Sequence, residues 1–164
     1  MKRLGRDLAN RAAGSEGDER TLSLRLARKL YQAQVAAGGG PAERIVLAEL
    51  ELDAGDPVAA RKLFEEAVAA EPTSVEAMRG AARAATAAEQ PDDALAFWRA
   101  VLEASEPGGT SWYEARIAQV QLLAKKGQKG TACEIVRSSQ GRSKTAGGDE
   151  LAKHLQTLGQ QVCQ

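Results

Sequence analysis

Few residues in this chain have the types and spacing that catalysis requires. The single histidine, His154, has one acidic neighbour at a helical spacing, Glu150, and that is an ordinary pair on a helix face. A lone histidine on a polar face is usually solvated. No serine has a base at a spacing that would activate it as a nucleophile. The sequence therefore offers no catalytic residue, and we predict that the protein is not an enzyme.

Metal and cofactor ligands are equally sparse. Cys133, His154 and Cys163 could supply three zinc ligands, but they lack the paired Cys-x-x-Cys or His-x-x-x-His spacing of structural zinc sites. The sequence leaves open whether the two cysteines pair with each other. Residues 38–40 are all glycine, but they lack the Lys-Ser/Thr that completes a phosphate-binding loop. We therefore expect no metal site and no cofactor.

The elements that could position a binding surface are helices. Alanine and leucine dominate the chain, aromatic residues make up only 4% of it, and β-branched residues are too scattered to build a sheet. A helix is expected over residues 20–37, with Asp18 as its N-cap. Its expected buried stripe consists of Leu22, Leu26, Leu30 and Ala33, widened by Leu24, Tyr31 and Val35.

A pattern of 34 residues repeats between Pro41 and Pro107. Equivalent positions carry the same kinds of side chain: Ala48 and Ala82, Pro57 and Pro91, Ala60 and Ala94, Phe64 and Trp98. The helices that this pattern predicts cover 41–54, 57–70, 74–88, 91–104, 112–125 and 129–138. Capping boxes are expected at 73–76 and 111–114. A period of this length, built from two helices, indicates a solenoid in which each copy packs on the next.

The repeat resembles the tetratricopeptide repeat, whose second helix carries Ala-x-x-x-aromatic and whose copy ends near a proline. The best copy covers residues 41–74 and matches at Ala60, Phe64 and Pro72. Further copies are expected at 75–108 and 113–146, with a partial copy at 20–40. The resemblance implies an all-α, right-handed helical-hairpin solenoid. We expect it to follow a poorly ordered segment or short helix at 1–19 and to end in a capping helix at 149–162.

The same resemblance implies a binding function. Members of the family are mostly protein-binding scaffolds, in which the first helix of each pair lines a concave groove. Carrying the groove-facing positions over to this chain gives the candidate partner-binding residues Glu49, Arg79, Arg83, Gln121 and Lys125. Arg79 and Arg83 lie on one helix face and, with Lys125, could hold an acidic side chain. We therefore predict a non-enzymatic scaffold or adaptor that binds a protein or peptide, of acidic character, in this groove.

The charge pattern leaves two alternatives open. Formal net charge is zero, but residues 1–42 carry 8 Lys+Arg against 4 Asp+Glu, residues 43–106 carry 6 against 14, and residues 107–164 carry 8 against 4. A basic end that meets the acidic middle of another copy would give self-assembly. A basic patch near the C-terminus could instead bind nucleic acid, although no aromatic stacking platform accompanies it. That patch would consist of Arg116, Lys125, Lys126, Lys129, Arg137, Arg142 and Lys144.

The sequence also allows a prediction of the cellular location. No apolar run approaches the roughly 20 residues that a membrane span needs. Lys2 and Arg3 are not followed by the apolar segment of a signal peptide. We therefore expect a protein of the cytoplasm, provided that the chain is not a fragment of a longer one.

Overall fold

The computed structural model describes residues 5–8, 10, 17–140, 142 and 148–164, and all regular structure in these residues is helical. The predicted all-α class is therefore confirmed. Several predicted features lie outside the described residues. They are most of the N-terminal segment 1–19, the end of the third copy at 143–146, and Lys144.

The helices follow the predicted pairs closely. Their boundaries lie within two residues of the expected ones, apart from the start of the first helix. They are α1 (Gly17–Ala36), α2 (Pro41–Asp53), α3 (Pro57–Ala70), α4 (Val75–Ala87), α5 (Pro91–Ala104), α6 (Thr110–Lys125), α7 (Lys129–Ser139) and α8 (Asp149–Val162). Residues 5–8 and 10 are also helical.

The chain forms two compact units, Met1–Glu89 and Gln90–Gln164. The boundary lies inside the predicted second copy, between its two helices. Helices α1 to α4 therefore belong to the first unit, and helices α5 to α8 belong to the second.

Prolines and caps decide where several helices begin. Proline occupies the first position of α2, α3 and α5, where a missing N–H costs nothing. The Asp56 carboxylate accepts a hydrogen bond from the Ala59 backbone N–H at 3.0 Å and so caps α3. Both predicted capping boxes are wrong. Ser74 rather than Thr73 caps α4, and α6 starts at Thr110 after Gly109, with no side-chain cap.

The turn after the first helix of each pair requires a left-handed backbone. Gly55 and Gly127 adopt it after α2 and α6, with φ of 82° and 76°. Glu89 takes the same position after α4, with φ of 56°. A side chain with a Cβ is strained there, so the second copy keeps the turn at an energetic cost that glycine avoids in the other two.

Helix α1 buries only part of the predicted face: Leu24, Tyr31 and Val35 pack inward as expected, whereas the central stripe of Leu22 and Leu26 does not. Ser23, Ala27 and Tyr31 are buried, whereas Leu22 is 59% exposed and Leu26 is 46% exposed. Ala27 and Tyr31 pack against Leu47 and Leu50 of α2, with Leu8, Leu24 and Val35 beside them. The buried stripe is displaced by one residue, about 100° around the helix, because close approach at Ala27 lets the large Tyr31 ring reach the core. The predicted N-cap is also wrong, because Asp18 lies inside the helix.

Small residues bring α3 and α4 close together. Phe64 of α3 is fully buried, and a Cβ at Gly80 of α4 would overlap its ring. Ala77, Ala81 and Ala84 are also completely enclosed. These short side chains hold the first unit together through close helix contact.

In the second unit, α6 contacts α5, α7 and α8. Cys133 of α7 forms a disulfide with Cys163, which follows α8, with their Cα atoms 5.6 Å apart. Gly159 of α8 lies directly against Val136 of α7, where a larger residue would not fit. The pairing that the sequence left open therefore ties α8 to the last repeat helix. Among the described helices, none is long and apolar enough to span a membrane.

Candidate binding surfaces

Two predicted groove residues, Arg83 and Glu49, form an ion pair in the first unit. Arg83 of α4 donates hydrogen bonds from Nη1 to Glu49 of α2, at 3.0 Å to Oε1 and 3.3 Å to Oε2. The two residues are 34 positions apart and hold equivalent places in consecutive copies. Their side chains remain 54% and 40% exposed. The surface of α2 and α4 thus presents an ion pair to solvent.

Arg79 is placed differently from Arg83. It lies one turn earlier on α4, is half-buried, and makes a polar interaction of its own. Its aliphatic stem can cover apolar surface while its guanidinium stays at the edge of that surface. We call the surface formed by Glu49, Arg79 and Arg83 the α2–α4 surface.

The remaining predicted groove residues lie in the second unit. Gln121 and Lys125 are exposed on α6. Next to them, Lys126 at the end of α6 forms an ion pair with Asp92 in the first turn of α5. One cation of the proposed basic patch is therefore neutralised within the protein.

In the second unit, two arginines lie over the Trp112 ring, an arrangement that was not predicted from the sequence. The Arg116 guanidinium lies 5.0 Å from the centre of the Trp112 ring, and the Arg142 guanidinium lies 5.5 Å from it. Tyr113 meets the same ring edge to face at 5.0 Å. Burial lowers the pKa of Arg116, and the nearby charge of Arg142 lowers it further. The spacing of Trp112 and Arg116, four residues apart on one helix, was the available signal.

None of these groups forms a metal centre. Among the described residues, no three of His, Cys, Asp and Glu lie close enough to hold a metal ion. Cys133 and Cys163 are bonded to each other, and His154 is exposed on α8. The surfaces described above consist of ion pairs and guanidinium groups, whose chemistry suits recognition of carboxylates or phosphates.

Comparison with known proteins identifies the fold. Comparison with curated proteins gives no sequence match. Among solved structures, the chain is similar to a crystal structure of MamA protein, with a TM-score of 0.67 and 13% identity over 99% of this chain and 88% of that one. It is also similar to a MamA mutant, with a TM-score of 0.61 and 14% identity over 97% and 89% of the two chains. For MamA MSR-1 C2, the TM-score is 0.63 and the identity 14% over 98% and 94%.

At these identities the similarity shows the fold alone. Residues 51–107, from the end of α2 through α5, match the family model of the tetratricopeptide repeat. Repeats of this family are typically non-catalytic interaction modules, which agrees with the surfaces described above. This part of the chain thus matches the tetratricopeptide repeat family, and the whole chain has an all-helical fold similar to that of MamA.

Proposed function

We propose that this protein is an adaptor whose α2–α4 surface binds an acidic peptide. The observation that carries the proposal is the exposed Glu49–Arg83 ion pair. An exposed pair of this kind contributes only about 0–1 kcal/mol, so a carboxylate from a partner can replace Glu49 on Arg83 at little cost. Arg79, one turn away on the same helix, adds a second guanidinium to that face. We propose Gln121 and Lys125 as the corresponding partner-binding residues on α6.

This exchange of carboxylates predicts opposite effects for the two members of the pair. Removing the charge of Arg83 takes away the group that holds the partner. Removing the charge of Glu49 takes away its internal competitor. The first change should weaken binding of an acidic peptide, and the second should strengthen it.

The test is a binding titration with a fluorescein-labelled peptide of alternating alanine and glutamate. Arg83→Gln should raise Kd by up to about fivefold, and Glu49→Gln should lower it about twofold to fivefold, in line with charge pairs worth up to about 1 kcal/mol. Arg61→Gln is the matched control, because Arg61 forms an ion pair with Glu65 on α3, and the two side chains are 25% and 42% exposed. A peptide with glutamine in place of glutamate measures the contribution of charge. Equal loss of affinity in Arg83→Gln and Arg61→Gln would refute the assignment of this surface.

A further inference from the structure

The second unit contains a cleft between three of its helices. Helices α5, α6 and α7 surround a volume of about 460 Å³. Leu102 of α5, Leu123 of α6 and Ile135 of α7 provide apolar surface in it. Arg99 of α5, with Arg116 and Gln119 of α6, adds polar groups. Neither Gln121 nor Lys125 lines this cleft, so it is a second surface of the protein.

Two polar atoms in this cleft are enclosed without partners. Gln119 is only 5% exposed, and its amide oxygen accepts no hydrogen bond from any described residue. The Nε of Arg116 is also enclosed and donates no hydrogen bond within the described part of the chain. A buried polar atom left unpaired destabilises the folded protein. A ligand that donates to the Gln119 oxygen, once this side chain turns into the cleft, would relieve that destabilisation.

The cleft also carries an excess of positive charge. Arg99 and Arg116 line it, against the single carboxylate of Glu103. A negatively charged group on a ligand therefore complements the cleft.

We propose that the α5–α6–α7 cleft binds an extended peptide segment in which an apolar side chain precedes a glutamate. The apolar side chain packs on Leu102, Leu123 and Ile135, and a backbone N–H of the peptide donates to the Gln119 oxygen. The glutamate carboxylate accepts from Arg116 and Arg99. A free phosphate satisfies the two arginines at most, because it offers no apolar group to the leucines.

The test uses the peptide acetyl-Ala-Leu-Glu-Ala-amide and the intact, disulfide-bonded protein. Nuclear magnetic resonance follows the side-chain amide of Gln119 and the indole N–H of Trp112. Titration should shift both signals. The same peptide with glutamine for glutamate, or serine for leucine, should bind at least fivefold more weakly. Equal binding of the three peptides, or equal shifts with inorganic phosphate alone, would overturn the proposal.

Two variants locate the site. Gln119→Leu removes the acceptor and leaves no unpaired polar atom at position 119, so the protein should keep its stability while the peptide binds about fivefold more weakly. Arg99→Gln should weaken binding similarly without affecting the core, because Arg99 is exposed. Arg137→Gln is the control, because Arg137 is exposed on α7 and does not line the cleft. Unchanged affinity in both Gln119→Leu and Arg99→Gln would refute the site.

The proposals for the cleft and for the α2–α4 surface can be tested separately. Arg83→Gln removes the cation proposed for the first surface and lies in the other unit. It should leave the shifts of Gln119 and Trp112 unchanged. If Arg83→Gln alone abolishes those shifts, the peptide binds at the α2–α4 surface and the cleft proposal is wrong.

Discussion

Reduction of the Cys133–Cys163 disulfide should destabilise the second unit by an amount set by the length of the loop that it closes. The bonded residues are 30 positions apart. Closing a loop of about 30 residues removes roughly 12 cal/mol/K of chain entropy from the unfolded state, which corresponds to about 3.6 kcal/mol at 25 °C. The loop includes α8, whose packing on α7 this bond maintains. Without the bond, α8 depends on its apolar contacts alone.

The assay is urea unfolding of the oxidised protein and of the same protein in excess phosphine reductant. Both tryptophans of the chain, Trp98 and Trp112, lie in the second unit, so their fluorescence reports the unfolding of that unit. With a urea dependence of about 1.5 kcal/mol/M, a loss of 3.6 kcal/mol moves the midpoint down by about 2.4 M. Reduction of the natural chain avoids the cavity that truncation of the buried Cys133 would create.

The control is the Cys133→Ala, Cys163→Ala double variant, whose midpoint should not respond to the reductant. Coincident midpoints for the oxidised and reduced natural protein would refute the reasoning. That result would mean that α8 is held equally well with and without the bond. A midpoint shift that appears equally in the double variant would instead reflect the reductant itself.

The disulfide also provides a test of the predicted cytoplasmic location. Disulfides persist in oxidising compartments and are rare in the reducing cytosol. If the protein resides in the cytoplasm, Cys133 and Cys163 should be thiols there, and the less stable reduced form is the one that acts. Alkylation of freshly lysed cells followed by mass spectrometry measures this directly. Complete protection of both cysteines from alkylation would contradict a cytoplasmic location.

Three further changes test the packing, a turn and one ion pair. Gly80→Ala should lower the free energy of unfolding by about 1–2 kcal/mol, because its Cβ overlaps the buried Phe64 ring; a raised Tm would contradict this. Glu89→Gly should raise Tm, because it relieves about 1 kcal/mol of backbone strain at φ 56°, whereas Glu89→Ala should not raise it. The hydrogen bond from Lys153 lowers the pKa of Glu150, so this pair stabilises α8 above the unfolded-state pKa of about 4.3 and is lost as pH falls through the lowered value. Lys153→Met should raise the Glu150 pKa measured by carbon-13 titration, and an unchanged value would disprove the pairing.

The local sequence signals that predicted this fold best are those with a steric cause. Proline at the start of a helix and glycine after its end restrict the backbone whatever surrounds them, so α3 and α5 begin, and α2 and α6 end, within one residue of where expected. The stripe predicted at Leu22 and Leu26 was wrong because leucine spacing alone does not say which of two neighbouring stripes meets a partner. Tyr31 and Ala27 decided between those stripes through tertiary packing. The predicted capping box at 111–114 was wrong for a different reason, because α6 starts at Thr110, directly after Gly109.

The same distinction separates the two candidate surfaces. Glu49 and Arg83 could be paired from the sequence, because positions one period apart in a repeat lie side by side on successive first helices. The α5–α6–α7 cleft could not, because the repeat pattern does not specify which side chains of these three helices line the space between them. Gln119 gave the only hint, as a polar residue between the buried Ala115 and Leu123 of one helix face. A buried amide at such a position needs a partner, and no described residue supplies one to its oxygen. A repeat sequence therefore predicts contacts between equivalent positions of neighbouring copies. A cleft lined by residues outside the repeat pattern can be identified only once the packing of the helices is known.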